Sequence, residues 1–294
     1  MQKIVPFLWF DHQAAEAANR YVSLFKNSRV INTTHYSDAG PGPSGSVMTV
    51  SFRLADQEFI ALNGGPEFTI TPAISFFVGC DTEEEIDRLY LNFSDGGEVL
   101  MELNRYPFSD KFAWVKDRFG VNWQLNLSGR YTQKITPFLT FVGPQHGKAA
   151  EAMNQYVSLF DDSRILSVQR FPPGSGELEG TVMHGEFSLH GQAFMAMDGG
   201  LDHKWAFTEG LSLFVSCENQ EEVDRLWQRL TAGGEEGPCG WLKDQYGLSW
   251  QIVPAILIEM LQDMDARKAQ RVNQAMLQMK KIDIAGLRRA YEQD

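Results

Sequence analysis

Apolar and polar residues alternate with period two over residues 3–10, placing Val5, Phe7 and Trp9 on one face of a predicted strand. The period then changes. Ala14, Ala17, Ala18, Tyr21, Val22 and Phe25 recur at i, i+3, i+4, i+7, i+8 and i+11, which predicts an amphipathic helix. Residues 29–36, 46–54 and 57–63 read as three strands. The first connection carries "DAGPGPSG" and the second is short, so antiparallel hairpins are expected. The cycle then restarts with a strand at 73–80, a helix from about 83, and strands near 98–102, 112–117 and 122–127. Thr82 sits where it can cap that helix, with Glu85 completing a capping box, and Asn219 and Glu222 hold the equivalent places further on.

The whole pattern occurs twice. "PFLWF" at 6–10 returns as "PFLTF" at 137–141, and "AAEAANRYVSLF" at 14–25 as "AAEAMNQYVSLF" at 149–160. "GSVMTVSF" (45–52) returns as "GTVMHGEF" (180–187), "EEIDRL" (84–89) as "EEVDRL" (221–226), and "WVKDRFGVNWQL" (114–125) as "WLKDQYGLSWQI" (241–252). About a third of aligned positions are identical, in preserved order, which marks a tandem duplication. Each copy is long enough to hold its own core. The predicted division is 1–130, 131–254 and a tail over 255–294 without counterpart, with the boundary near Ser128–Gln133. Each copy is twice strand–helix–three strands, so the chain holds four units.

A length of 294 residues agrees with two domains, and 43% hydrophobic content supplies real cores. Acids outnumber bases 38 to 26, a net charge of −12, which disfavours nucleic-acid and membrane-surface partners. Cys80, Cys217 and Cys239 form neither a metal-type CxxC pair nor a disulfide framework. No run approaches 18 uninterrupted apolar residues and no leader precedes "MQKIVP", so a cytoplasmic protein is expected.

The segments "PFLWFDHQAAEAANRYVSLF", "GSVMTVSF", "ALNGGPEF", "AISFFVGCDTEEEIDRL", "KDRFGVNWQL" and "GGEEGPCGWLKDQYGLSWQIVP", with the tail "KAQRVNQAMLQMKKIDIAGL", carry a resemblance over nearly the whole chain. They resemble the PhnB-like branch of the vicinal oxygen chelate superfamily, which includes glyoxalase I, extradiol dioxygenases and bleomycin-resistance proteins. This branch often bears the label 3-demethylubiquinone-9 3-methyltransferase. The resemblance implies an α+β fold of two tandem glyoxalase-like domains. Each would be two βαβββ units whose antiparallel or mixed sheet curls around a cavity, with paired domains able to complete each other's sites. The first copy has the longer "VLMELNRYPFSDKFAW" hairpin and the second the short "EEGPCGW" form.

Strand parity gives an expected concave set. It comprises Val5, Phe7 and Trp9 with Thr136, Phe138 and Thr140; Thr49 and Ser51 with His184 and Glu186; Ala61 and Asn63 with Ala196 and Asp198; and Gln124 with Gln251, whose neighbours Trp123 and Trp250 face the core. The superfamily's metal ligands come from the first, fourth, fifth and eighth strands. The resemblance places Val5, Asn63 or Ala61, Ala73 and Gln124 there in one copy, and Thr136, Asp198 or Ala196, Gly210 and Gln251 in the other. Those side chains are a poor divalent site, so no cofactor is assigned. His184 and Glu186, two apart on one strand face, are weak metal or acid–base candidates together with Asp198 and Gln251. The competing reading is a solvent-facing edge or a structural His–Glu pair.

Asn63 and Asp198 each precede a Gly-Gly pair and could hold a ligand carbonyl or close a turn on their own backbone. Trp114, Lys116 and Asp117 repeat as Trp241, Lys243 and Asp244; a hairpin with the Asp opening the "KDRFG" turn is expected, a cavity mouth being the alternative. Cys80 and Cys217 read as small core residues. "GPGPSG" at 40–45 precedes a strand and reads as a hairpin loop, which argues against a dinucleotide cradle and against methyl transfer. The tail reads as helices, Asp283 capping the last with Leu287 and Tyr291 inward, packed on the domains or on a second subunit of a homodimer. Three functional readings follow. The first is a small-molecule binding protein or metal-poor enzyme with an aromatic cavity per domain, using Phe7, Trp9, Asn63 and Gln124, and Phe138, Asp198 and Gln251. The second is a divalent-metal isomerase, lyase or dioxygenase using the second copy. The third is an interaction module in which one copy has lost its site.

Overall fold

The computed structural model describes residues 2–36, 42–129, 131 and 133–293. Part of the "GPGPSG" loop (Gly40 and Pro41) and part of the expected copy boundary (Arg130 and Thr132) lie outside the described residues. Four βαβββ units follow one another. The first holds β1 (Ile4–Phe10), α1 (Ala14–Leu24), β2 (Arg29–His35), β3 (Val47–Leu54) and β4 (Gln57–Asn63). The second holds β5 (Ile74–Cys80), α2 (Glu83–Ser94), β6 (Glu98–Tyr106), β7 (Ser109–Lys116) and β8 (Asn122–Leu127). The third holds β9 (Ile135–Phe141), α3 (Ala149–Val157), β10 (Arg164–Arg170), β11 (Val182–Leu189) and β12 (Gln192–Asp198). The fourth holds β13 (Leu211–Cys217), α4 (Gln220–Thr231), β14 (Glu235–Glu236), β15 (Trp241–Lys243) and β16 (Ser249–Pro254). Helices α5 (Ala255–Leu261), α6 (Ala266–Leu277) and α7 (Ile284–Glu292) form the tail. The architecture is the α+β class that the resemblance implies.

The strands form two mixed eight-stranded sheets, and each sheet takes one unit from each copy. The first runs β14-β15-β16-β13-β1-β4-β3-β2, joining the fourth unit to the first; the second runs β10-β11-β12-β9-β5-β8-β7-β6, joining the third to the second. The seams are antiparallel, with Val5 opposite Phe214 in one and Phe77 opposite Thr136 in the other. The chain between β8 and β9 is short, which favours the second and third units as neighbours and leaves the outer two to pair. The crossovers from β4 to β5 and from β12 to β13 clasp each other. Thr71 Oγ1 donates to Ala206 O, and Thr208 Oγ1 donates to Thr69 O, both at 2.6 Å.

The sheets stand back to back, their helix-bearing faces sharing one core. Phe52 stacks on Phe59 of the first sheet, and Phe59 meets Phe76 of the second edge-on at 5.0 Å. Trp123 lies flat on Phe93 of α2, with ring centroids 4.6 Å apart. Cys80 and Cys217 are buried in this core, as their apolar flanks predict. Burial without a nearby base pushes both thiols up to about 12.

The capping residues act with one change of detail. Thr82 Oγ1 accepts from Glu85 N at 3.2 Å and Asn219 Oδ1 from Glu222 N at 3.0 Å. The returning glutamates reach one residue further back, accepting from Asp81 N and Glu218 N.

The concave faces point outward, and they differ. On the first sheet Val5, Phe7, Ile60, Phe214 and Val253 pack against Leu257, Met260, Val272, Ile282 and Leu287 of the tail. Asp283 caps α7 as expected, accepting from Ala285 N and Gly286 N, both at 3.0 Å. The corresponding cluster on the second sheet (Phe77, Phe112, Phe138 and Met195, with Met101, Tyr106, Trp114, Met197 and Tyr131) contains no residue of the tail. Among the described residues, no helix is long and apolar enough to cross a membrane.

Candidate functional site

The sheet pairing decides which predicted residues can meet. Phe7 and Trp9 stand on β1 in the same sheet as Gln251, whereas Phe138 on β9 shares a sheet with Gln124. The expectation that Phe7, Trp9 and Gln124 line one cavity, and Phe138 and Gln251 another, is corrected. The residues sort by sheet, and each sheet crosses the copies.

Within each sheet the opening and closing strands present the expected faces. Gln251 Nε2 donates to Ser212 Oγ and Gln124 Nε2 to Ser75 Oγ, each at 2.9 Å, so each amide is pinned on the floor of its concave face. Gln124 stands opposite Phe77 and Trp114; Gln251 stands opposite Phe214 and Trp241. Trp123 and Trp250 turn to the shared core, as predicted.

Asn63 and Asp198 are placed otherwise. In register, Leu8 pairs with Ala61 and Phe10 with Asn63, so Ile60 and Leu62 are the concave residues of β4. The same shift puts Met195 and Met197 on the concave face of β12, with Ala196 behind it in the shared core and Asp198, one alternation on, also behind it. Asn63 Oδ1 accepts from Ala14 N at 2.8 Å and its Nδ2 donates to Val47 O at 3.0 Å. Asp198 is fully buried, and its two oxygens accept from Ala149 N at 3.0 Å and Val182 N at 2.8 Å. Each caps a helix whose own first residue supplies no side-chain cap. The difference in type follows from the strand partner: a carbonyl at Val47 requires an amide donor, an N–H at Val182 a carboxylate. The expectation that these side chains face a ligand is therefore corrected, because their polar atoms are spent on backbone.

His184 and Glu186 do lie on the concave face of the second sheet, with Nε2 and Oε1 3.8 Å apart and the imidazole tilted over Phe138 at 5.9 Å. The cluster expected around them does not assemble, since Asp198 faces the opposite side and Gln251 belongs to the other sheet. Among the described residues, no three His, Cys, Asp or Glu side chains come together as a cation site. The side chains present do not fit the divalent metal that the superfamily resemblance implies.

Two networks that sequence reasoning missed anchor the sheets. Asp117 Oδ2 accepts from the Tyr21 hydroxyl at 2.7 Å and from Trp123 Nε1 at 2.8 Å, while Oδ1 takes the N–H groups of Phe119 and Val121. Tyr156, Asp244 and Trp250 repeat this at 2.7 and 2.9 Å. The carboxylates begin turns, as expected, and also tie α1 and α3 to the closing strands. Burial pushes the Asp117 carboxyl up to about 6 against the four donors that lower it, and raises Asp244 likewise. These groups are enclosed in the core and are structural.

Besides Ser188 on β11, three buried polar atoms of the second sheet find no partner among the described residues: Trp114 Nε1, Thr140 Oγ1 and Asn122 Oδ1. Thr140, Asn122 and Trp114 lie on β9, β8 and β7, with β5 between the first two, toward one end of the concave face. Thr140 N bonds the O of Ala73 just before β5, Phe76 pairs with Trp123, the residue after Asn122, and Asn122 stands opposite Lys116, two residues beyond Trp114. Buried polar groups are normally satisfied, so three orphans together are unusual.

The chain matches the 3-demethylubiquinone-9 3-methyltransferase family over residues 2–126 and 133–253, once per copy. Among solved structures, a PhnB protein from Bacillus cereus is 45% identical, covering 43% of this chain and 100% of its own, with a TM-score of 0.41. A protein from Staphylococcus aureus is 36% identical over 43% of this chain and 97% of its own, with a TM-score of 0.19. Glyoxalase I from Zea mays, only 9% identical, covers 84% of this chain and 92% of its own with a TM-score of 0.53, a likeness of fold that spans both copies. None of the curated proteins matches the chain. The chain thus belongs to the 3-demethylubiquinone-9 3-methyltransferase (PhnB-like) family, carried in two copies on a glyoxalase-like fold.

Proposed function

We propose that this chain binds a small uncharged molecule, an aromatic carbonyl or dicarbonyl compound, at one end of the second sheet's concave face. The observation that carries the reading is the trio of unpartnered buried atoms beside an apolar floor. Trp114 Nε1 can only donate. Asn122 Nδ2 is spent on Gly120 O at 3.2 Å, so its Oδ1 is left to accept; Thr140 Oγ1 can do either. Phe77, Phe112, Phe138 and Met195, already buried, form the apolar cluster that a ring or alkyl body would join. The equivalent face of the first sheet is packed by the tail, which favours the second sheet as the seat of this ligand.

The test is saturable binding, by calorimetry or by ligand-observed NMR, of a panel of aryl ketones and 1,2-dicarbonyls to the full chain. Trp114→Phe keeps the ring and removes the donor, and Thr140→Val keeps the shape and removes the hydroxyl. Each should weaken binding about fivefold to tenfold, the worth of one hydrogen bond. A panel without saturable binding, or one bound equally by both variants, overturns the reading. Thermal shifts with Ni²⁺, Zn²⁺, Mn²⁺ and Fe²⁺ bear on the metal-enzyme alternative; stabilisation lost in His184→Ala would favour it.

A further inference from the structure

The tail does not fill the first sheet's concave face to its edge. Beyond it lies a cavity of about 350 Å³ between β1, the β14–β15 hairpin and the two crossovers, lined by Trp9, Phe68, Trp241 and Ser249 together with carboxylates and one lysine. We propose that this cavity is a second ligand site and that its ligand is a small organic cation, a protonated primary amine on an apolar body.

Charge is the first ground. Glu67, Glu209, Glu235 and Glu236 line the cavity against a single lining cation, Lys243. Lys243 pairs with Glu209 at 2.8 Å, and Glu236 is met by Lys280 at 3.6 Å and by the Trp227 indole N–H at 3.1 Å. Among the described residues, no cation lies within ion-pair distance of Glu67 or Glu235. The lining therefore holds negative charge that the described residues do not neutralise.

The aromatic walls are the second. Trp9 meets Phe68 at 4.9 Å and 79°, and Trp241 at 6.1 Å and 76°, so neighbouring rings stand nearly perpendicular. The Trp9 N–H is spent on Gly65 O at 2.8 Å, and its six-membered ring lies against Gly64, where a Cβ would stand 2.2 Å from the indole. The backbone thus fixes this indole and takes its donor, so what the indole has for a cavity ligand is ring surface. Such a face attracts an ammonium group and gives nothing comparable to a carboxylate.

The third is Ser249. It is 1% exposed, lines the cavity, and its hydroxyl has no partner among the described residues. A primary ammonium carries N–H donors that this oxygen can accept; a quaternary ammonium does not. Ser249 therefore selects among cations that the rings and carboxylates would accept alike.

The experiment titrates the full chain with 2-phenylethylammonium, 2-phenylethanol and 3-phenylpropanoate, followed by calorimetry. The amine should saturate, bind about tenfold or more tightly than the alcohol, and weaken as salt rises, while the anion should not bind. Ser249→Ala should weaken the primary amine about fivefold and leave phenethyltrimethylammonium unchanged. Glu67→Gln with Glu235→Gln, both on exposed residues with no ion pair to lose, should lower affinity for both cations without moving the unfolding midpoint. The proposal is overturned if the alcohol binds as well as the amine, if no cation saturates, or if the double glutamine variant binds unchanged. Trp114→Phe, on the other sheet, should not alter amine affinity, so this site and the second-sheet site stand or fall separately.

Discussion

Replacing Asp117 by asparagine should change how the stability of this protein depends on pH. Asp117 is 5% exposed and faces four donors: the backbone N–H groups of Phe119 and Val121 at 2.9 and 3.0 Å, the Tyr21 hydroxyl at 2.7 Å and the Trp123 indole at 2.8 Å. Burial is the largest influence and outweighs them, raising the carboxyl from 3.8 to about 6. A folded-state value above the unfolded one means that the folded chain holds the proton more tightly. The stability gained from protonation is fully present below about pH 4 and is lost as pH rises through about 6. A shift of about 2 units at 1.36 kcal/mol each makes that loss about 3 kcal/mol. The asparagine side chain cannot titrate, so the variant lacks this component. It also turns an NH₂ group toward at least one fixed donor, a cost present at every pH.

The assay is urea unfolding of both proteins at pH 4.5, 5.5, 6.5 and 7.5. The stability of the natural chain minus that of Asp117→Asn should be greatest at pH 4.5 and shrink by about 2–3 kcal/mol by pH 7.5. Asp244, raised in the same way, titrates in both proteins and cancels in the difference. Tyr21→Phe removes a donor that holds the Asp117 carboxyl down, so it should move the sloping window to higher pH. A difference that stays flat, or that grows with pH, would refute the argument that burial governs this carboxyl.

Three further outcomes are expected. Leu287→Ala, at a fully buried contact between the tail and the first sheet, should cost about 2–5 kcal/mol in chemical unfolding; an effect below about 1 kcal/mol would contradict the packing of α7. Asn63→Asp and Asp198→Asn should each destabilise by about 1–3 kcal/mol, the first by setting a carboxylate against Val47 O and the second by setting an NH₂ against a backbone N–H, while ligand affinity at either sheet stays unchanged. At pH 8 a thiol reagent should label the half-buried Cys239 before the enclosed Cys80 and Cys217, as mass spectrometry of tryptic peptides would show; labelling of all three at one rate would count against the core placement.

Period and repetition make most elements legible, since a half-buried helix or edge strand writes its exposure into its sequence. The central strands do not. β4 is buried on both faces over Gln57–Ala61 and β12 nearly so, so alternation carries no parity signal there, and the Gly-Gly pairs after Asn63 and Asp198 suggested a ligand loop where the side chains instead cap helices. The pairing of units across copies is equally illegible. The copies are alike enough that a fourth unit resembles a second, and only the linker and crossovers decide which unit pairs with which. The Tyr–Asp–Trp networks did leave a signal, because Tyr21, Asp117 and Trp123 recur as Tyr156, Asp244 and Trp250 at nearly equal spacing. Three polar or aromatic residues kept together through a duplication can mark a mutual contact as readily as a site.

Comparing aligned positions shows how the two concave faces came to differ in chemistry while sharing one frame. Trp9 corresponds to Thr140, Phe68 to His203, Glu67 to Asp202, Ser249 to Asn122, and Trp241 to Trp114. In the first sheet two indoles and a phenyl ring stand together, and the Trp9 N–H is consumed by Gly65. In the second, the threonine in place of Trp9 removes one aromatic wall and adds a hydroxyl, and the retained Trp114 N–H is left without an acceptor. The tail reinforces the division, since it covers the apolar middle of the first sheet and leaves only the acidic, aromatic edge for a ligand. A duplicated frame with one face partly covered can suit an uncharged ligand on one face and a cationic one on the other, because each face is completed by residues from both copies and a substitution in either copy alters only one face at a time.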